Sequence, residues 1–191
     1  MNTTTLLAYG LIVSYFVVER SLRKGSAALS LKPQESDAGS SVVLAVSSVI
    51  GLMSAIAAPI LNYYQIGNWQ NSVASWLGIM FMLGGLGLRY WAAKTLGEFY
   101  TRTLQTIDKQ QIVESAPYSW IRHPGYLGTL LLSIGAGLAL SNWLVIVISM
   151  PIGICEKLYR ISAEEKMLAS TFLEQFETYK QKTWRLIPYL Y

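Results

Sequence analysis

Five long apolar stretches alternate with shorter polar segments along the chain. They run from Thr3 to Val18, Val42 to Leu61, Val73 to Ala93, Gly125 to Leu140 and Trp143 to Tyr159. A helix needs about 20 apolar residues to cross a bilayer core of about 30 Å. The second and third stretches reach that length, and the others span it if interfacial residues are counted and charged ends such as Arg20 and Lys157 extend toward the headgroups. The pattern predicts five transmembrane helices, the last two joined as a hairpin at Ser141 and Asn142.

Composition supports an all-α, polytopic membrane protein. Of 191 residues, 52% are hydrophobic and 14% are charged, whereas soluble domains carry about 25% charged residues. The single cysteine, Cys155, excludes an intramolecular disulfide framework and a cysteine-based zinc cluster. No His-rich spacing predicts a metal site, and the scattered basic residues lack a groove-reading motif, so we expect neither metal nor nucleic acid as a partner.

The basic residues predict the topology, because cytosolic loops are enriched in Lys and Arg. None precedes the first stretch, and none lies between residues 62 and 72 or in the turn at 141–142. All 15 therefore fall on one side. We expect an external N-terminus and a cytosolic C-terminus.

Because the positive charges follow the first stretch, it is predicted to be an uncleaved anchor and not a signal peptide. The lack of an organelle signal favours a prokaryotic plasma membrane, with the endoplasmic reticulum as the alternative.

Small residues indicate close helix packing at two places. Ser47, Gly51 and Ala55 form a small-xxx-small ridge, and Gly84, Gly85 and Gly87 form a cluster. Both patterns are more typical of helix contacts than of chemistry.

The cytosolic parts hold most of the polar residues. A loop of about 30 residues, from Lys94 to His123, is long enough to fold over the membrane surface. The tail from Arg160 to about Lys182 is predicted to be an amphipathic helix whose apolar stripe packs on the protein or lies in the interface. That stripe consists of Leu168, Phe172, Phe176 and Tyr179. Trp184, Tyr189 and Tyr191 would then lie at headgroup level.

A first candidate site is the run Arg122-His123-Pro124-Gly125-Tyr126. Proline is favoured at the first position of a helix, so a helix is predicted to begin here. Its free N–H groups and positive dipole end suit a carboxylate or phosphate. His123, the only histidine, either contacts such a ligand or caps the turn. Gly125 and Gly128 suit helix packing or a flat ligand.

A second candidate site lies where the fifth stretch ends. Glu156, Arg160 and Glu164 are spaced by four residues and so share one helix face. An ordinary ladder of ion pairs is one interpretation. The position favours a functional one, because charge at the end of an apolar helix is costly.

These two sites resemble motifs of the isoprenylcysteine carboxyl methyltransferase family of integral membrane enzymes and of the related phospholipid methyltransferases. The run Val113-Glu114-Ser115-Ala116-Pro117-Tyr118-Ser119-Trp120-Ile121-Arg122-His123-Pro124-Gly125-Tyr126 is similar to the family pattern, with Ala116 where the family usually has Gly. The second match is Arg160 followed by Glu164-Glu165, Leu168, Phe172, Tyr179 and Arg185-Leu186-Ile187-Pro188. The likeness covers about Gly97 to Pro188.

The resemblance implies an S-adenosylmethionine-dependent methyltransferase made of one membrane domain, with residues 1–93 as a three-helix scaffold and 94–191 as the catalytic and cofactor-binding region. By resemblance, the cofactor is lined by Gln110, Gln111, Ile112, Val113, Tyr118, His123, Pro124, Gly125, Tyr126 and Glu164. Arg160 is expected to bind the substrate, and Arg160 and Glu164 are the expected catalytic residues. The implied acceptor is the carboxylate of a prenylcysteine-like lipid that enters from the bilayer.

Two alternatives stay open at this point. A phospholipid amine or a small thiol could be methylated instead, although each requires deprotonation and a guanidinium is not a base. The chain could also be a non-catalytic five-helix protein in which the charges form only a ladder.

Overall fold

A computed structural model describes residues 2–22, 39–100 and 111–191. In these residues the chain forms five α-helices and one short 3-10 helix: α1 (Thr3–Leu22), α2 (Ser40–Tyr63), α3 (Ser72–Leu96), the 3-10 helix Gly97–Phe99, α4 (Pro124–Ala139) and α5 (Trp143–Lys182). Helices α1, α2 and α3 are long and apolar enough to cross a membrane, whereas α4 is a shorter apolar helix. A helix is thus present at each of the five apolar stretches, and each helix extends beyond its stretch or matches it within one residue.

The core joins all five helices through small and aliphatic side chains. Ala8 of α1, Ala58 of α2, Met82 of α3, Ala139 of α4 and Val145 of α5 are at most 2% exposed and belong to one cluster. Many large apolar side chains on the outer surface of the bundle are instead exposed. An apolar exterior around a small-residue core is the arrangement expected of helices that face lipid.

Glycines bring α3 and α4 into backbone contact. A Cβ on Gly85 would lie 2.5 Å from the Gly128 carbonyl oxygen, and one on Gly78 would lie 2.6 Å from the Gly135 carbonyl oxygen. The prediction that the 84–87 cluster makes helix contacts is therefore right for Gly85. It is wrong for Gly84 and Gly87, where a Cβ would meet no atom of the described residues within 4 Å. The reason is helical geometry, because each residue turns about 100° around the helix axis, so positions one or two residues from Gly85 point in other directions.

The small-residue ridge of α2 is also different from the prediction. A Cβ on Gly51 would have no atom within 4 Å, and Ser47, Gly51 and Ala55 line a cavity. Ala55 is buried, and its carbonyl accepts a hydrogen bond of 2.7 Å from the Tyr9 hydroxyl of α1. The ridge packs closely at Ala55, which belongs to the core cluster, but leaves room between helices at Ser47 and Gly51.

Both uncharged turns lie at the same end of the bundle. Asn142 caps α5, accepting from the Leu144 N–H at 3.0 Å, and its amide donates to Asn62 Oδ1 at 2.7 Å. The backbone N–H of Trp69 donates to the Ser141 carbonyl at 3.1 Å. The loop 62–72 and the hairpin turn therefore contact each other at one end of the bundle, whereas the absence of basic residues predicts only that they share a side.

The C-terminal tail continues α5 and folds back on the loop before α4. The fifth apolar helix continues into the tail as far as Phe172, and the non-helical residue Leu173 (φ 43°, ψ −117°) separates it from a last helical segment that ends at Lys182. Beyond the kink, Phe176 and Tyr179 are buried, and the Tyr179 hydroxyl donates to the Tyr118 carbonyl at 2.8 Å. The predicted apolar stripe therefore packs on the protein at these two positions.

Candidate active site

A polar cavity lies at the end of the bundle opposite the uncharged turns, where α3, the start of α4 and the middle of α5 meet. Most of the predicted site residues line it: Gln111, Ile112, Val113, Tyr118, His123, Gly125, Tyr126, Arg160 and Glu164. Pro124 begins α4 beside the cavity and is fully buried. Gln110 lies outside the described residues. The two sequence clusters, almost 40 residues apart along the chain, thus form one site.

The first turn of α4 supplies part of the cavity wall. His123 is the N-cap residue, but its side chain makes no capping hydrogen bond, so the capping interpretation of the imidazole is wrong. Instead, Nε2 lies 3.3 Å from Glu165 Oε1, and the ring stacks on Tyr126 with centroids 5.5 Å apart. Because Pro124 has no N–H and the Tyr126 and Leu127 N–H groups donate to the His123 carbonyl, Gly125 is the first-turn residue whose N–H can face a ligand.

The Tyr126 hydroxyl connects the two predicted catalytic residues. It donates to Glu164 Oε2 at 2.7 Å and accepts from Arg160 Nε at 3.1 Å. Arg160 is 4% exposed, and its Nη1 also donates to Ser40 Oγ at 3.2 Å. The Glu164 side chain is 26% exposed and so stays open to the cavity. One fixed guanidinium and one accessible carboxylate therefore face the same space.

Glu165 anchors the loop before α4 to α5 and the tail. Its Oε1 accepts a hydrogen bond from Arg122 Nε at 2.9 Å, and its Oε2 lies 2.9 Å from Arg185 Nε in an ion pair. Arg122 also donates to the Lys180 carbonyl at 3.2 Å. Glu165 and Arg185 belong to the quoted family match, but sequence reasoning gave them no role. Their part in the site is to hold the loop that carries His123.

The carboxyl group of Glu165 is strongly acidic in this setting. Burial on its own favours the neutral form, but hydrogen bonds from His123 and Arg122, together with their charge, outweigh it and lower the pKa from 4.5 to about 2. A lowered pKa in the folded state stabilises the fold above pH 4.5. This contribution is lost as the pH falls from 4.5 toward 2.

We expect Glu165→Gln to lower the melting temperature strongly at pH 6 and much less at pH 3. The lowered pKa corresponds to about 3 kcal/mol at pH 6. Less than half of this remains at pH 3, because the carboxyl of the unfolded chain is then protonated and folding has to release that proton. Thermal unfolding in detergent at both pH values measures the difference. Glu174→Gln, at an exposed position of the same helix, is the control. A deficit of Glu165→Gln that is the same at both pH values contradicts the assignment.

A buried ion pair that the sequence reasoning missed supports the same cavity from α1 and α3. Arg89 Nε lies 2.5 Å from Glu19 Oε1, and Arg89 Nη1 donates to the Gly125 carbonyl at 2.9 Å. The Tyr100 hydroxyl donates to the same Glu19 oxygen at 2.7 Å. The third predicted stretch contains Arg89, but sequence reasoning assigned this residue no partner, and the structure buries it in α3. Ionisable residues near the ends of two apolar segments were the available signal.

Two buried tyrosines of the site are neutral. Burial raises the pKa of Tyr118 well above its usual range and also raises that of Tyr179. Their hydroxyls donate to the Ala92 carbonyl at 3.4 Å and the Tyr118 carbonyl at 2.8 Å. They shape the wall and are not bases.

Comparison with known proteins places this geometry in a family. The model of the Isoprenylcysteine carboxyl methyltransferase (ICMT) family matches residues 76–170. That range contains Tyr126 and the three side chains that contact it: His123, Arg160 and Glu164. The chain belongs to the isoprenylcysteine carboxyl methyltransferase family.

Among the curated relatives, those named for isoprenylcysteine methylation agree with this assignment. The Saccharomyces cerevisiae protein-S-isoprenylcysteine O-methyltransferase is 34% identical over 118 residues, which cover 60% of this chain and 48% of the relative. The Xenopus laevis protein of the same name is 33% identical over 116 residues, covering 60% and 40%. An uncharacterized Bacillus subtilis protein, YpbQ, is 29% identical over 84 residues, covering 44% and 46%. This chain spans about half the length of these relatives.

The ICMT fold extends beyond the range of the family model. The eukaryotic intramembrane Ras methyltransferase ICMT superposes with a TM-score of 0.62 over 97% of this chain and 63% of that chain, at 24% identity. The likeness therefore includes α1 and α2, which the family model does not match. Glu19 of α1 and Ser40 of α2, which contact Arg89 and Arg160, lie in this part of the fold.

Proposed function

We propose that this chain is a membrane-embedded methyltransferase that uses S-adenosylmethionine to methylate the carboxylate of a prenylcysteine-like, lipid-modified acceptor. The single observation that carries the proposal is the bridge through Tyr126, which places Arg160 and Glu164 against one cavity. Family membership supports methyl transfer, and the two curated methyltransferase relatives are named for a prenylated acceptor.

The residues of the polar cavity fit S-adenosylmethionine. Gly125 offers an N–H at a helix start to a carboxylate, Glu164 offers a carboxylate to a cation, and Tyr118 and Tyr126 offer aromatic surface. When bound, S-adenosylmethionine supplies an electrophilic methyl group on a sulfonium centre. Glu165 and its arginine partners hold the start of α4 in place beside the cavity.

Arg160 is suited to hold the acceptor carboxylate. A carboxylate is ionised at neutral pH and needs no base, and the planar guanidinium fork can bind both of its oxygens. The Tyr126 hydroxyl and Ser40 Oγ fix the orientation of this fork. Positioning of the acceptor oxygen and exclusion of water then account for catalysis, and well-oriented groups can contribute several kcal/mol, on the order of 7 or more.

A second, apolar cavity is suited to hold the lipid tail. All five helices border it, and four residues line both this cavity and the polar one: Tyr15, Ser48, Thr129 and Lys157. The remaining wall is largely apolar, with Ile12, Phe16, Leu52 and Met82 among its residues. A lipid that reaches this cavity sideways from the bilayer would extend its carboxylate toward Arg160.

The same proposal includes five membrane spans with the N-terminus outside and the C-terminus in the cytosol of a prokaryotic cell. The five helices and the shared end of the two uncharged turns support it. Helix α4 has only 16 residues, so it crosses the bilayer core only if interfacial residues at its ends are counted. Helix α5 would cross with its residues up to Tyr159.

Cysteine labelling tests this orientation. In a Cys155→Ser background, we expect Gln70→Cys to react with an impermeant maleimide in intact cells and Glu177→Cys to react only after lysis. Both positions are exposed, so a difference reports the side of the membrane. Reaction of Glu177→Cys in intact cells contradicts the proposed topology.

The reaction is tested by methyl transfer from labelled S-adenosylmethionine to N-acetyl-S-farnesylcysteine, phosphatidylethanolamine and a small thiol. We expect labelling of the farnesylcysteine, and binding of S-adenosylhomocysteine that is weakened in Glu164→Ala but not in Glu177→Ala. Absence of binding by the wild-type protein favours the non-catalytic alternative. Preference for the amine or thiol contradicts the proposed acceptor.

A further inference from the structure

The apolar cavity contains one buried charged pair that the proposed reaction does not use. Glu156 and Lys157 are 2% and 4% exposed, and Lys157 Nζ contacts Glu156 Oε2. Both side chains line the apolar cavity, and Lys157 also lines the polar one. Glu156 precedes Arg160 by one helical turn, about 6 Å along the α5 axis. The pair therefore lies between the proposed carboxylate site and the space for the tail.

One oxygen of Glu156 lacks a hydrogen-bond donor within the described parts of the chain. Oε1 is fully buried, and no described residue donates to it. The hydroxyl groups nearby are already used, because Ser133 and Ser149 donate to the carbonyls of Thr129 and Val145 in their own helices, at 3.1 and 2.6 Å. The cavity serines of α2, Ser47 and Ser48, likewise both donate to the Leu44 carbonyl. The cavity thus has an open acceptor that its own hydroxyls do not satisfy.

The chemistry of the missing donor follows from the pair. A purely hydrocarbon ligand would leave Oε1 buried without a partner, which is unfavourable. A ligand with an N–H or O–H group at this level would satisfy it. Because Lys157 already offsets the charge of the carboxylate, a neutral donor fits better than an ammonium group, whose own desolvation would add to the cost.

We propose that the Glu156–Lys157 pair is a hydrogen-bonding site for a neutral donor, an amide N–H or a hydroxyl, carried by the acceptor lipid between its carboxylate and its tail. This rests on the proposed function and narrows its acceptor class. Amphiphiles with such a donor bind well, and simple long-chain carboxylates bind poorly. Glu156 acts as a specificity-determining residue and takes no part in the transfer itself.

The test compares two acceptors that differ at a single group. The wild-type protein in lipid nanodiscs is titrated with N-acetyl-S-farnesylcysteine and with its acetoxy analogue, in which an ester oxygen replaces the amide N–H. We expect the amide to bind at least about 10-fold more tightly, since loss of one hydrogen bond to a charged group has about this effect. Glu156→Met/Lys157→Met, which removes both charges together, should reduce the ratio to about twofold or less. Ser149→Ala, in the same cavity, should keep it.

Binding and turnover separate the two claims. Equal dissociation constants for the two compounds in the wild type, no binding of either, or an unchanged preference in the double variant overturns the inference. The wild-type comparison decides even if the double variant does not fold. A preference for the amide in binding, with no methylation of either compound, supports the donor site and contradicts the proposed reaction.

Discussion

Replacing Arg160 by Lys is expected to reduce methyl transfer by at least about 100-fold, while S-adenosylhomocysteine affinity stays within about twofold of wild type. Lysine keeps the charge but loses the planar fork that can bind both carboxylate oxygens and the Nε that donates to Tyr126. Misplacement of a reacting group by about 1 Å can have an effect of this size. Turnover with N-acetyl-S-farnesylcysteine and isothermal titration with S-adenosylhomocysteine measure the two quantities.

The control for this prediction is Arg20→Lys, at an exposed position near the end of α1. It should keep wild-type turnover. Glu164→Ala should differ from both by losing cofactor affinity as well as turnover. If Arg160→Lys retains full activity, or if it and Glu164→Ala only lower the melting temperature by similar small amounts, the charges form a structural ladder and the orientation argument is wrong.

Replacing Gly85 by Ala is expected to destabilise the protein by several kcal/mol, about 3 or more, and to abolish a folded population at physiological temperature. The added Cβ would lie 2.5 Å from the Gly128 carbonyl oxygen and 2.9 Å from the Leu132 nitrogen, so α3 and α4 would have to separate. Separation would also move Arg89 away from the Gly125 carbonyl that it contacts. Unfolding in mixed micelles measures the loss.

Gly84→Ala provides a matched control for this effect. It is adjacent in sequence, lies in the same helix and has no atom within 4 Å of an added Cβ. Alanine has the higher helix propensity, by about 1 kcal/mol, so this variant should be at least as stable as the wild type. Equal destabilisation by the two substitutions would mean that the close approach of α3 and α4 does not exist.

The helices could be predicted from the sequence because a bilayer requires long apolar segments, and the signal is therefore strong. The kink at Leu173 could not be predicted, because no proline or glycine marks that position in the sequence. Helix partners were also poorly predicted. Small residues indicate that a close contact exists, but the face that a neighbour occupies depends on packing between distant segments, as the difference between Gly84 and Gly85 illustrates.

The two candidate sites could be predicted because their residues lie close together in sequence, around His123 and around Arg160. The family resemblance supplied their roles, and the structure brings them together through Tyr126. The Glu19–Arg89 pair could not be found in the same way, because its members are 70 residues apart. The open oxygen of Glu156 was equally inaccessible, as it depends on where every nearby hydroxyl donates.

The chemical nature of the transferred methyl group tests the central claim most directly. The purified protein is incubated with labelled S-adenosylmethionine and N-acetyl-S-farnesylcysteine, and the isolated lipid product is treated with mild base. A carboxyl methyl ester releases its label as volatile methanol, whereas a methyl group on nitrogen or sulfur stays with the lipid. We predict that the label is released quantitatively with the wild-type protein and that Arg160→Ala forms no labelled product. A base-stable label, or equal labelling by Arg160→Ala, contradicts the proposed carboxylate methylation.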